Sequence, residues 1–192
     1  MEIEYHPFKP WLPQSAKLLM LGTFPPPSKR WAVKWFYPNF TNDMWRIFGI
    51  VFFDDKLYFV DEKNKTYLLD KIKDFLEYKG IAIYDTAKQI IRTKGTASDK
   101  DLEIVESTDL EQLLAALPLC KAVVTTGQLA TKVFATHFGI KCHNMKMGDS
   151  SIIEFKGRKI KFYRLPSSSR AYPMKIENKS QYYKRMFDEI YL

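Results

Sequence analysis

The run Leu165-Pro166-Ser167-Ser168-Ser169-Arg170 sets three hydroxyls and several backbone N–H groups beside one cation. That set suits phosphate oxygens, although an ordinary serine-rich turn has the same composition. A second concentration lies upstream. Trp31, Trp35, Phe36, Tyr37, Phe40 and Trp45 fall within fifteen residues, interleaved with Lys29, Arg30, Lys34 and Arg46. Rings set among cations can stack on bases while the charges hold a nucleic-acid backbone, at roughly 1–3 kcal/mol per stacked base. Trp45, Ile47 and Phe48 read as the core face of a helix; Phe36 and Tyr37, between a basic run and Pro38, suit a pocket or the core equally. Asn42, Asp43 and Asp85 are the groups that could position a water, and Asn42 also suits the N-cap of the helix that follows it.

Such residues act only if larger elements bring them together. Four short apolar runs have the length and flanks of buried parallel strands: Lys17–Gly22, Gly80–Tyr84, Lys121–Thr126 and Lys161–Leu165. Ser151–Phe155, the Lys156-Gly157-Arg158 turn and Lys159–Tyr163 read as a hairpin whose second arm is the fourth of these strands. Helices are expected between them. Thr108-Asp-Leu-Glu111 has capping-box spacing ahead of an apolar face of Leu110, Leu113, Leu114 and Leu117. Gln128–Phe138 follows Gly127, and Asn178–Leu192 places Tyr182, Met186 and Ile190 as the face of a closing helix. Lys175–Arg185 supplies that helix with charges that either reach a polyanion or form a solvated face. Strands alternating with helices predict a parallel α/β sheet covered on both faces. In such sheets ligands lie at the carboxyl ends of the strands. The unusual residues sit there: Thr23–Ser28 after the first strand, Asp85 after the second, Gly127 after the third and Pro166–Arg170 after the fourth.

The chain has 192 residues, 46% hydrophobic and 27% charged, so one domain spanning 1–192 with its own core is expected and disorder is not. Thirty Lys and Arg against 22 Asp and Glu give a net charge of +8, which suits a polyanionic partner or simply a solvated basic surface. Two cysteines, Cys120 and Cys142, cannot build a disulfide scaffold, a four-thiolate zinc site or an iron–sulfur cluster. The three histidines fall in no zinc-ligand pattern, Cys142-His143 being the only suggestive pair, so no metal is expected. No apolar run approaches the roughly 20 residues of a membrane span. The opening MEIEYHPFKPW does not read as a signal peptide, so a cytoplasmic protein with reduced thiols is expected. Phosphate-binding loops, dinucleotide fingerprints and nucleophile elbows are absent from the sequence.

Read in order, the segments resemble the uracil-DNA glycosylase superfamily. The resemblance rests on Leu21-Gly22-Thr23-Phe24-Pro25, Tyr37-Pro38, Asn42-Asp43-Met44-Trp45, Gly80-Ile81-Ala82-Ile83-Tyr84-Asp85, Val123-Val124-Thr125-Thr126-Gly127 and Leu165-Pro166-Ser167-Ser168-Ser169. The last motif is similar to that of the mismatch-specific thymine and uracil branch; Asn42-x-x-Trp45 and Tyr84-Asp85 look more like the hypoxanthine branch. The resemblance implies a three-layer α/β/α sandwich with a central four-stranded parallel sheet. It also implies a monofunctional glycosylase that hydrolyses the N-glycosidic bond of a flipped uracil or hypoxanthine in double-stranded DNA. The product would be an abasic site, with no cofactor and no metal; the sequence leaves the oligomeric state open, with a monomer the default. Gly22, Thr23 and Phe24 would hold the departing base, Phe36 or Tyr37 would stack on it, and Thr126 would contact it. Asn42 or Asp85 would orient water. Ser167, Ser168 and Ser169 would grip the DNA backbone while Arg170 or Tyr172 entered the vacated stack. Two departures stand out: Phe24 occupies the position where the mismatch-specific relatives carry a water-positioning Asn, and Thr126 replaces a base-reading Asn. They motivate an alternative, a nucleic-acid-binding module that has kept the fold and lost hydrolysis. A third reading is an enzyme acting on a free nucleotide through the Ser167–Ser169 loop.

Overall fold

The computed structural model describes residues 2–94, 96, 98–141 and 145–192. Its centre is a sheet of five strands in the order β5-β2-β8-β10-β9, where β2 is Leu18–Gly22, β5 Ile81–Asp85, β8 Ala122–Thr126, β9 Ser150–Phe155 and β10 Arg158–Leu165. β5, β2, β8 and β10 run parallel. Every residue of β2, β5 and β8 is buried, as a parallel sheet covered on both faces requires. The expected count of four strands is corrected to five. Lys156 and Gly157 both take positive φ, the geometry of a tight hairpin turn, and they fold β9 back antiparallel onto β10 as an added edge.

Aromatic contacts dock the helices. In α1, Met44–Phe53, Phe48 and Phe52 meet Phe187 of α5, Ile176–Ile190, with ring centroids 5.5 and 4.7 Å apart. Phe75 of α2, Leu69–Lys79, packs against the same two rings of α1. Phe134 of α4, Gln128–His137, lies 4.5 Å from Phe162 of β10. In α5 the inward face carries Tyr183, Met186, Phe187 and Ile190, with Tyr182 only half-buried. This corrects the expected register at Tyr182: a spacing of three and four selects Tyr183 once Lys179 also turns inward.

The short helix α3, Leu110–Ala115, is capped by Asp109, whose carboxylate accepts from the Gln112 amide at 2.9 Å. Thr108, expected to be that cap, instead donates its hydroxyl to the Asp85 carbonyl at 2.7 Å. A second sheet was not legible in the sequence: β1, Ile3–Tyr5, pairs with β6, Ala87–Arg92, which pairs with β7, Leu102–Ser107. A small hairpin of β3, Val60–Asp61, and β4, Thr66–Tyr67, completes the strands. Cys120 is buried, and burial pushes its thiol up to about 11, so it is no candidate nucleophile. Cys142 and His143 lie outside the described residues. Among the described residues no helix is long and apolar enough to cross a membrane.

Phe134 is fully buried between Phe138 and Phe162. Phe134→Ala is expected to lower unfolding free energy by about 3–5 kcal/mol, measured by urea denaturation with an unchanged denaturant dependence.

Candidate active site

Strand register assembles the site. β2 and β5 pair so that Gly22 lies opposite Asp85, and β8 and β10 pair so that Thr126 lies opposite Leu165. Four strand ends therefore share one rim, and the segments leaving them enclose a cavity of about 120 Å³. Gly22, Thr23, Phe24, Phe36, Tyr37, Asn42, Asp85 and Thr126 line it, together with Ser167, Ser168 and Ser169. The structure thus brings together in one cavity eleven residues scattered from position 22 to position 169. Arg170 and Tyr172 are not among its lining residues.

Gly22 is required by close approach. A Cβ there would sit 2.4 Å from Asp85 Oδ1, so any side chain would displace the carboxylate. The other oxygen, Oδ2, lies 2.9 Å from His6 Nε2. The ring of His6 is locked in place by Phe8, Phe24 and Tyr84, at centroid distances of 5.9, 5.3 and 4.6 Å. His6 Nδ1 lies 2.9 Å from the Phe8 carbonyl and 3.2 Å from the Phe8 amide. With Nε2 donating to Asp85, the carboxylate keeps Oδ1 facing the cavity as an acceptor.

Opposite the carboxylate, Tyr37 takes a left-handed backbone with φ 49° and reaches Thr126 Oγ1 at 3.2 Å through its hydroxyl. Burial and the nearby charge of Asp85 raise the Tyr37 phenol well above its ordinary range, so it stays a neutral hydrogen-bonding group. Phe36 is 2% exposed, yet it lines the cavity, so it belongs to core and pocket at once. Asn42 Oδ1 accepts from the Met44 amide at 2.9 Å; the N-cap of α1, expected at Asn42, falls on Asp43, whose side chain makes no capping hydrogen bond. Asn42 Nδ2 has no partner among the described residues, so what it offers the cavity is a donor. The backbone amides of Thr23 and Phe24 likewise have no partner among the described residues.

Asp99 was not singled out in the sequence. It sits in a 3-10 turn between β6 and β7, lines the cavity, and accepts from the Thr23 hydroxyl at 2.8 Å through Oδ2. Burial raises its carboxyl above the usual carboxylate range, and the charge of Asp85 adds to the rise. Neither Asp99 nor His6 carries a motif; His6 lies 79 positions from its partner, and the small sheet that delivers both pairs strands far apart in sequence. Among the described residues no cluster of three or more His, Cys, Asp and Glu side chains could hold a metal ion.

The Ser167–Arg170 loop is fastened from beneath. The Asp43 amide donates to the Ser168 carbonyl at 2.9 Å, and the Asp43 carboxylate meets Arg170 Nε at 3.1 Å and Lys179 Nζ at 3.0 Å. Lys179, with 1% of its side chain exposed, also donates to the Ser169 carbonyl at 2.7 Å. Asp43 is therefore engaged in an ion pair and does not line the cavity. Within the span 175–185, Lys179 faces inward while Lys175, Lys184 and Arg185 are exposed. The hydroxyls of Ser167 and Ser169 accept from the Ser169 and Ala171 amides, each at 3.2 Å. Arg46 is buried, donates to the Phe40 and Asn42 carbonyls at 2.7 and 3.2 Å, and so fixes the Asn42 segment. Lys29, Arg30 and Lys34 are the exposed cations of the aromatic stretch.

No protein-family model matches the chain, and no curated protein matches it. Among solved structures it is similar to the solution NMR structure of a "putative Uracil DNA glycosylase" from Methanosarcina acetivorans, at 19% identity and a TM-score of 0.64 over 100% of both chains. At that identity the likeness establishes a shared fold: helices around a central, mostly parallel sheet.

Removing Lys179 would leave Asp43 buried with only the half-exposed Arg170 as partner. Lys179→Met is expected to destabilise by about 3–5 kcal/mol, read by chemical denaturation, and to increase hydrogen exchange at the Ser169 and Ala171 amides.

Proposed function

We propose that this chain is a monofunctional DNA glycosylase that hydrolyses the N-glycosidic bond of a flipped uracil or hypoxanthine in double-stranded DNA, leaving an abasic site for base-excision repair. One observation carries this reading: a single cavity at the strand ends unites aromatic walls, a carboxylate held by a histidine, unpartnered amide donors and a serine rim. The similar fold of the Methanosarcina protein adds support. The reading goes with a three-layer α/β/α arrangement, a cytoplasmic monomer, and chemistry that uses no metal or organic cofactor.

A base within a duplex is out of reach, so it is extruded at a few kcal/mol of lost stacking and pairing. Phe36, Tyr37 and Phe24 receive it, and stacking of this kind is of the right size to offset extrusion. Ser167, Ser168 and Ser169 grip the backbone, with Arg170 or Tyr172 beside the vacated stack. Cleavage builds positive charge on the sugar and negative charge on the departing base. Asp85 faces the sugar, stabilises its charge and accepts the proton of the attacking water; His6 holds Asp85 in that orientation. Asn42 donates through Nδ2 to the water or to a base carbonyl. The Thr23 and Phe24 amides donate to the departing base. Thr126 contacts its polar edge.

Labelled duplexes carrying uracil opposite G or A, hypoxanthine opposite T, or thymine opposite G are expected to be cut at the lesion after alkaline treatment. Excess enzyme should release uracil or hypoxanthine. Duplex binding at defined salt without any release would make the chain a nucleic-acid-binding module instead, and turnover of free nucleotides that duplex DNA does not inhibit would make it a nucleotide enzyme. Asn42→Ala is expected to slow single-turnover release at least about tenfold, about 1.4 kcal/mol of barrier. Its circular dichroism should stay native, because the substitution removes one side-chain hydrogen bond, to the Met44 amide, worth about 1 kcal/mol. An unchanged rate would remove Asn42 from the reaction.

A further inference from the structure

The cavity holds two carboxyl groups in unlike settings, and it holds no cation. Asp85 has a histidine on Oδ2 and lies over Gly22. Asp99 has only the Thr23 hydroxyl, on Oδ2; Oδ1 has no partner among the described residues. The second strand-end glycine lies beneath it, with Asp99 Oδ2 3.7 Å from where a Gly127 Cβ would stand. No Lys or Arg lines the cavity. Arg92, the cation that acts on Asp99, is spent on Glu4, at 2.9 Å through Nε and 3.1 Å through Nη2, and on the Pro25 carbonyl. A base leaving as an anion would therefore depart between two acids with only dipoles to receive it.

We propose that Asp99 is a further catalytic residue, the acid that protonates the base as it leaves. The assignment rests on the glycosylase reading and gives its two carboxyl groups opposite tasks. The C1′–N bond breaks with its electron pair passing to the base. Asp99 gives its proton to a ring nitrogen or carbonyl oxygen of that base, which departs neutral. The water oxygen bonds to C1′ and its proton passes to Asp85. One water is consumed, one proton has moved from Asp99 to Asp85, and exchange with solvent resets the pair. Two carboxyl groups in unlike surroundings are the known way to run acid and base chemistry side by side. The environment supports the division, since burial and the charge of Asp85 both favour the protonated form of Asp99. The groups bearing on Asp99 are Asp85 with its partner His6 from β5 and the N-terminal segment, Arg92 with Glu4 from β6 and β1, and Thr23 after β2. The Tyr37 phenol shares the cavity, and Lys100 and Asp101 share its turn, Asp101 being held by the Thr96 hydroxyl.

The test is single-turnover release, by wild type, Asp99→Asn and Asp99→Glu, of whichever base the wild type excises, followed across pH. Wild-type release should fall on the alkaline side as Asp99 loses its proton. Asp99→Asn should be slower by about 100-fold or more and lose that alkaline limb. Asp99→Glu should restore the limb and part of the rate. With a fluorinated form of the same base, which departs more readily as an anion, the Asp99→Asn deficit should shrink. An alkaline limb that persists in Asp99→Asn, or a deficit equal for both bases, would overturn the role of Asp99 while leaving the glycosylase intact. No release by the wild type from any duplex would overturn the glycosylase reading itself.

Discussion

The site depends on one register: the last residue of β2 is a glycine placed opposite the aspartate that ends β5. The 2.4 Å gap that a Cβ would leave to Asp85 Oδ1 means that the carboxylate occupies the space another residue's side chain would fill. From that position it is reached by His6 on one side and faces Tyr37 and Thr126 across the cavity. Thr108 fixes the same residue from behind by donating to its carbonyl. The carboxylate is thus held by backbone and side-chain contacts together, which is the preorganisation that electrostatic catalysis requires.

A second junction keeps the opposite rim in place. Asp43, at the start of α1, binds the Ser168 carbonyl through its amide and Lys179 through its carboxylate, while Lys179 also holds the Ser169 carbonyl. Three elements distant in sequence are tied at one point: the aromatic segment, the loop after β10 and the last helix. A buried ion pair is a poor source of net stability, but it fixes geometry, because a partner left alone would be buried and unpaired. Asn42 is positioned by the same arrangement, with Arg46 holding the carbonyl of its own residue.

Charge is divided between surface and cavity. The chain carries +8 overall, and Lys29, Arg30, Lys34 and Arg170 are exposed beside or near the aromatic segment and the serine loop. The cavity has the opposite character, with the Asp85 carboxylate in its wall and no Lys or Arg. A basic exterior attracts a polyanion over a distance, while an acidic interior suits the positive charge that develops on a sugar. The two signs serve different stages of the proposed reaction.

Much of this was written in the sequence. The four parallel strands, the hairpin and the segments that leave the strand ends at Thr23, Asp85, Gly127 and Pro166 were legible because short apolar runs end at polar or glycine residues, and parallel strands gather their ends on one edge. Other features needed the folded chain. His6 and Asp99 reach the cavity from a small sheet that pairs the N-terminal strand with strands far along the chain, and no local pattern links them to Asp85. Lys179 looked like part of a charged helix face, and only the position of Asp43 turns it inward. Thr108 satisfied a capping pattern, but a strand-end carbonyl competed for its hydroxyl and Asp109 took the cap. The reason is common to all four. Periodicity and turn chemistry act between neighbours in sequence, whereas the pairing of charged and polar side chains is decided by which surfaces come together and exclude water.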